Sequence, residues 1–118
     1  MFRSLAVSAV LFAQIGAAAA CPCPRASLEY LLQSGEVIAV FSARVISILT
    51  PEKGKPTVTR LQVHEVLKGD VPRVVEMTGV TLEDNPCGID FRPGEVHILA
   101  ASKREGRWFT NLCLVPQP

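Results

Sequence analysis

A small all-β barrel or sandwich with one short helix is the fold the sequence predicts. Five segments rich in β-branched and aromatic residues are separated by turn signals, one short stretch has helical spacing, and no alternation of strands and helices appears. The elements follow in chain order. Pro22 and Pro24 make residues 21–25 an extended, stiff segment, because each proline fixes its own φ and biases its predecessor toward β or polyproline II. Ser27 is placed to cap a short helix through Leu28, Leu31 and Leu32 that stops near Gly35. Residues 37–49 are a long β-branched run, apolar on both faces at first and partly alternating later, as in a central strand. Residues 51–56, rich in Lys and Gly between two prolines, read as an exposed hairpin connection.

The second strand covers residues 57–67. Leu61 and Val63 share a face, but Val66 and Leu67 fall out of that period, so a bulge or strand end is expected near Glu65. A turn around Gly69 and Asp70 leads to a third strand at residues 73–78. Residues 81–86 are polar and form a loop that delivers Cys87. Pro93 and Gly94 turn the chain into a fourth strand at residues 95–101. Residues 103–106 are a second charged turn, and residues 107–115 are the fifth strand, carrying Trp108, Phe109 and Cys113. No internal repeat or low-complexity tract interrupts this order.

The first twenty of the 118 residues do not belong to that pattern. One charge at Arg3, an apolar run from Leu5 to Ile15, then Gly16 and four alanines before Cys21 have the layout of a secretory signal peptide. The run is shorter than the roughly 20 residues that span a bilayer, which argues against an anchor. We therefore expect a leader over residues 1–20, one domain over residues 21–118, and a secreted or periplasmic protein without stable membrane insertion. Removing Arg3 with the leader leaves eleven basic residues against eleven acidic ones, a net charge of zero. Nucleic acid and anionic membranes are poor partners for such a chain, since both are bound through clustered Lys and Arg.

All four cysteines lie after the leader. A bond between Cys21 and Cys23 would close a tiny ring across Pro22, whose locked φ leaves little freedom to relieve strain. Each must then reach Cys87 or Cys113, pinning the chain start onto the body, and two disulfides are expected. A zinc site built from all four is disfavoured, because paired C-x-x-C spacing is lacking and export favours oxidation. A lipid on Cys21 is the other use of that thiol. Ala18-Ala19-Ala20-Cys21 fits a lipidation box only in part, and lipidation would leave Cys87 unpaired.

Cleavage after Ala20 would make Cys21 the first residue, with a free α-amine on a stiff, disulfide-anchored strand. An unprotonated amine and the carbonyl oxygen of the same residue can form a five-membered chelate on a zinc ion that keeps an open position. The reference pKa of such an amine, about 7.7 to 8.0, permits this near neutral pH.

Cys21-Pro22-Cys23 at that start, Val66-Leu67-Lys68-Gly69 ending a strand, Asn85-Pro86-Cys87-Gly88, Val96-His97-Ile98-Leu99-Ala100-Ala101 and Trp108-Phe109-Thr110-Asn111-Leu112-Cys113 occur in that order. The ordered set resembles the N-terminal domain of tissue inhibitors of metalloproteinases, a netrin-like module, over essentially all of residues 21–118. The resemblance implies a five-stranded OB-type barrel, with Cys21 paired to Cys87 and Cys23 to Cys113. It implies a zinc metalloprotease as partner, Cys21 on the protease zinc and Pro22 entering the adjacent specificity pocket. The protease-contact edge would be Cys21, Pro22, Cys23 and Pro24 beside Asn85, Pro86 and Cys87. The chain departs from the family in having no third disulfide, and in carrying Pro22 where the family usually has a small hydroxyl residue.

A netrin-like binding module without inhibitory activity is the alternative, because a fold alone does not give a function. An enzyme is not expected. His64 and His97 lie in strand segments, Asp84, Asp90 and the glutamates are dispersed, and no Ser or Cys sits in a nucleophile motif. Trp108 and Phe109 read as barrel-wall residues rather than a platform for single-stranded nucleic acid. A monomer with no cofactor is expected.

Overall fold

Ser27 starts the first element. Its hydroxyl accepts the Tyr30 N–H at 3.1 Å and its carbonyl accepts the Leu31 N–H at 3.1 Å, so two otherwise unpaired donors are satisfied and helix α1 forms over Leu28–Gln33. The structure is a computed structural model that describes residues 21–117; the expected leader, residues 1–20, lies outside the described residues. After the helix come five strands: β1 Ala39–Leu49, β2 Val58–Lys68, β3 Val74–Thr78, β4 Val96–Arg104 and β5 Arg107–Phe109. A 3₁₀ turn at Leu112–Leu114 follows them.

The strands form one antiparallel sheet in the order β3-β2-β1-β4-β5. It curls into a half-barrel, and the edge strands β3 and β5 face each other without pairing across a cleft lined by Glu76, Thr78, Gly106, Arg107 and Trp108. Bulges supply the curl. The register between β1 and β2 shifts three times, leaving Leu67, His64 and Ile46 without a partner in the ladder. Two of these irregularities flank Glu65, which explains why Val66 and Leu67 leave the period set by Leu61 and Val63.

The concave face holds the core. Ala39, Phe41, Ala43 and Val45 of β1 meet Leu61, Val75, Met77, Leu99 and Ala101, and Val80, Ile89 and Phe91 close the cluster from the loop after β3. Trp108 reaches Phe41 edge-on at 6.4 Å between ring centroids. A smaller cluster on the opposite face places Leu31 and Val37 over Val40 and Ala100. Helix α1 thus covers the start of β1, and this is why that strand is apolar on both faces before it alternates.

Three segments differ from the sequence expectation. The strand expected from residue 37 begins at Ala39, because Val37 N–H turns back to the Ser34 carbonyl at 3.3 Å. The fifth strand, expected over residues 107–115, stops at Phe109. Thr110 is fully buried and its hydroxyl donates to the Ala100 carbonyl at 2.7 Å, after which Asn111 caps the 3₁₀ turn and takes Cys113 out of the sheet. The fourth strand, expected over residues 95–101, runs over Val96–Arg104, so Lys103 and Arg104 of the expected turn lie in β4 and only Glu105 and Gly106 lead into β5. Both have positive φ, 52° and 79°, the signature of a two-residue type I′ hairpin.

Gly69 sits where the end of β2 passes the start of β1. It has φ 86°, and a Cβ there would collide with the Ile38 carbonyl oxygen. Gly69→Ala should lower stability by about 1–2 kcal/mol from the backbone conformation alone, and by more because Ile38 must move. Gly54, with φ 88° and no atom within 4 Å of where a Cβ would stand, is the control. Chemical denaturation of both alanine variants should show Gly69→Ala to be clearly the less stable; equal losses would mean that the close approach is immaterial.

Candidate functional site

Two disulfides fasten the chain start to the body. Cys21 is bonded to Cys87 and Cys23 to Cys113, with Cα–Cα distances of 4.9 Å and 5.7 Å, so all four cysteines are paired. Each distal cysteine is presented in the same way. Asn85 Oδ1 accepts the Cys87 N–H at 2.8 Å, and Asn111 Oδ1 accepts the Cys113 N–H at 2.9 Å, so an asparagine two residues earlier shapes each turn. The two turns are joined directly, Leu112 N–H donating to the Cys87 carbonyl at 2.7 Å.

The N-terminal segment is held by more than sulfur. The Arg25 guanidinium donates to the carbonyls of Val115 and Pro116 at 3.2 Å and 3.0 Å, and Gln117 N–H donates to the Ala26 carbonyl at 2.9 Å. Residues 21–25 therefore lie extended between the loop of Cys87 and the 3₁₀ turn of Cys113. Along this ridge Pro22, Pro24 and Pro86 are exposed, while Asn85 and the four cysteines are half-buried. The Cys21–Cys87 bond thus sets Cys21, with Pro22 and Cys23 following it, beside the turn of Asn85, Pro86 and Cys87, while Pro24 lines a groove with Ala26, Asn111 and Cys113. Fastening of this kind matters to binding, because a preorganised edge loses little entropy when it is bound.

The loop that carries Cys87 has its own latch. Gly88 packs so closely on the backbone of Thr81 and Leu82 that a Cβ would overlap both. Asp84 Oδ2 accepts the Thr57 N–H at 2.8 Å, the Thr57 hydroxyl at 2.6 Å and the Thr81 hydroxyl at 3.3 Å. The Thr57 side chain, then its backbone N–H, favour the carboxylate and hold the Asp84 pKa below its ordinary value, outweighing the opposing effect of burial. Because the folded pKa is the lower one, the latch contributes fully above the ordinary carboxylate pKa of about 3.9 and is lost as pH falls through the folded value. Thermal unfolding of wild-type protein and Asp84→Asn should therefore differ at neutral pH and converge as acid protonates Asp84. A difference that persists unchanged into strong acid would show that the charge on Asp84 is not what fastens the loop.

No protein-family model, curated protein or solved structure matches this chain. Its chemistry has to be read from its own residues. The sulfurs of Cys21, Cys23 and Cys113 lie within 4.8 Å of one another, but each is in a disulfide and offers no thiolate to a metal. His97 is half-buried against the edge of Phe91 at 5.1 Å and shares a 3.3 Å contact with Glu95, while His64 is exposed at a bulge in β2. Among the described residues no helix is long and apolar enough to cross a membrane. The paired cysteines point to an oxidising compartment.

Asn111, Arg25 and the Thr57–Thr81–Asp84 latch carry the site without having been singled out for these roles in the sequence. For Asn111 a signal existed: Asn-x-Cys occurs twice, at residues 85–87 and 111–113. For the other two there was none, since Arg25 meets Val115 and Pro116, and Asp84 meets Thr57, across long stretches of chain.

Proposed function

We propose that this protein is an exported inhibitor of zinc metalloproteases, built on a netrin-like, OB-type barrel related to the N-terminal domain of tissue inhibitors of metalloproteinases. The observation that carries the reading is the fastening of Cys21: it begins an extended, proline-stiffened ridge, and its sulfur is bonded to Cys87. With residues 1–20 removed, its α-amine and carbonyl would chelate the catalytic zinc of the protease. Pro22 would enter the neighbouring pocket, and Pro24, Asn85 and Pro86 would flank it. The sulfur that a lipid anchor would need is occupied by Cys87. Two disulfides and a leader-like N-terminus support export.

The test begins with intact mass and N-terminal sequencing of the exported protein, followed by titration of a panel of zinc metalloproteases. Stoichiometric inhibition by protein starting at Cys21 is the expected result. Inhibition of none of them by protein with a verified Cys21 terminus would favour the other reading, a netrin-like binding module with no inhibitory activity.

A further inference from the structure

The two disulfides share a contact that neither needs for its own bond. Sγ of Cys21 lies 3.5 Å from Sγ of Cys23 and 3.7 Å from Sγ of Cys113. Both are non-bonded contacts between different cross-links. The surrounding backbone is meanwhile held by bonds that involve no sulfur: Leu112 to Cys87, Asn85 and Asn111 to the turns they cap, Arg25 to Val115 and Pro116, and Gln117 to Ala26. Opening the Cys23–Cys113 bond therefore leaves both of its sulfurs beside Cys21 Sγ.

We propose that Cys21 Sγ is an internal thiol–disulfide exchange centre, through which opening the Cys23–Cys113 bond passes to the Cys21–Cys87 bond. A dithiol reductant first cleaves Cys23–Cys113 and becomes a disulfide itself, leaving two thiols. The Cys113 thiol loses its proton to solvent and the thiolate attacks Cys21 Sγ. The Cys113–Cys21 bond forms as the Cys21–Cys87 bond breaks, and the electron pair leaves on Cys87, which takes up a proton. This second step involves no net oxidation or reduction. Closing 3.7 Å to a bond length of about 2.05 Å requires a sulfur displacement of about 1.7 Å. Cys23 is the poorer attacker, because its product would be the ring across Pro22.

The product differs from the parent in one respect that matters. The chain start stays tied, now to Cys113, while Cys87 and its turn are released from it. On the inhibitor reading, which this consequence rests on, exchange parts the two halves of the protease-contact edge. The exchange itself does not depend on that reading.

The experiment treats oxidised wild-type protein with one equivalent of dithiothreitol, quenches with acid and an alkylating agent over a time series, and maps the cross-linked peptides. Peptides joined by Cys21–Cys113, with Cys23 and Cys87 alkylated, are expected. They should form at least tenfold faster under native conditions than in concentrated urea, because contact in the fold raises the effective thiol concentration above that of a flexible chain. A Cys23→Ser variant isolates the second step, since Cys87 and Cys113 then compete for Cys21 alone; both pairings should appear in a glutathione buffer. Singly reduced protein containing only the two parent bonds, or a native rate no faster than the rate in urea, would overturn the proposal. No inhibition is measured in either arm, so failure here leaves the inhibitor reading standing, and failure of inhibition leaves the exchange standing.

Discussion

One alanine added before Cys21 should abolish protease inhibition while leaving the fold intact. If the α-amine and carbonyl of Cys21 chelate zinc, an extra residue turns the amine into an amide nitrogen, which is no longer a basic ligand, and pushes the new amine past the metal. We expect the inhibition constant to rise at least about a hundredfold, near 3 kcal/mol of binding free energy. Stability should change by no more than about 0.5 kcal/mol, because both cross-links run through sulfur and the residues that fasten the segment are untouched. Acetylation of the amine should act in the same way. Pro22→Thr is the contrasting variant: the chelate survives, a backbone N–H is restored, and the order of preference among proteases should change. Equal inhibition by the wild-type and alanine-extended proteins would rule out chelation and direct attention to another surface.

Loss of the cross-link between Cys23 and Cys113 should be the most damaging single change to stability. The two residues are 90 apart in sequence, and loop-closure entropy assigns such a bond on the order of 4 kcal/mol. Removal of a native disulfide from a small secreted domain costs about 2 to 5 kcal/mol, against a total stability of about 5 to 15 kcal/mol. Cys113→Ser should therefore lower the thermal midpoint by at least about 10 °C. Cys23→Ser should do much the same. A calorimetric loss below about 1 kcal/mol would mean that Arg25, Gln117 and the two asparagine-shaped turns hold the segment without the bond.

Much of the sheet was legible because local patterns agreed with tertiary demands. The double-sided apolar start of β1 signalled burial on both faces, and the broken period at Val66 and Leu67 signalled the bulges that curl the sheet. The end of β5 was hidden. Trp108, Phe109, Leu112, Cys113, Leu114 and Val115 have strand-like composition, and only the burial of Thr110 under the Ala100 carbonyl, with the cap at Asn111, turns them away. Pattern also left open which distal cysteine meets which proximal one. Nor does periodicity encode the Leu112 bond to the Cys87 carbonyl, which joins the two distal turns across 25 residues of sequence. The Asp84 latch was invisible for the same reason: its partner Thr57 lies 27 residues away.

The placing of residues 21–26 against residues 113–117 also governs when the molecule can be finished. Ribosomes make the chain from its beginning, so Cys23 exists as an unpaired thiol until the residue 90 positions later has been added. At 5–20 residues per second this interval is roughly 5 to 18 s. The ridge is therefore the last part to close, and no stretch of nascent chain that stops short of Gln117 can contain it in its final form. Chains that stop between Phe109 and Cys113 would carry all five strands and lack the clasp. In them Cys21 can still meet Cys87, and Cys23 is the thiol left without its partner, open to mispairing with other chains.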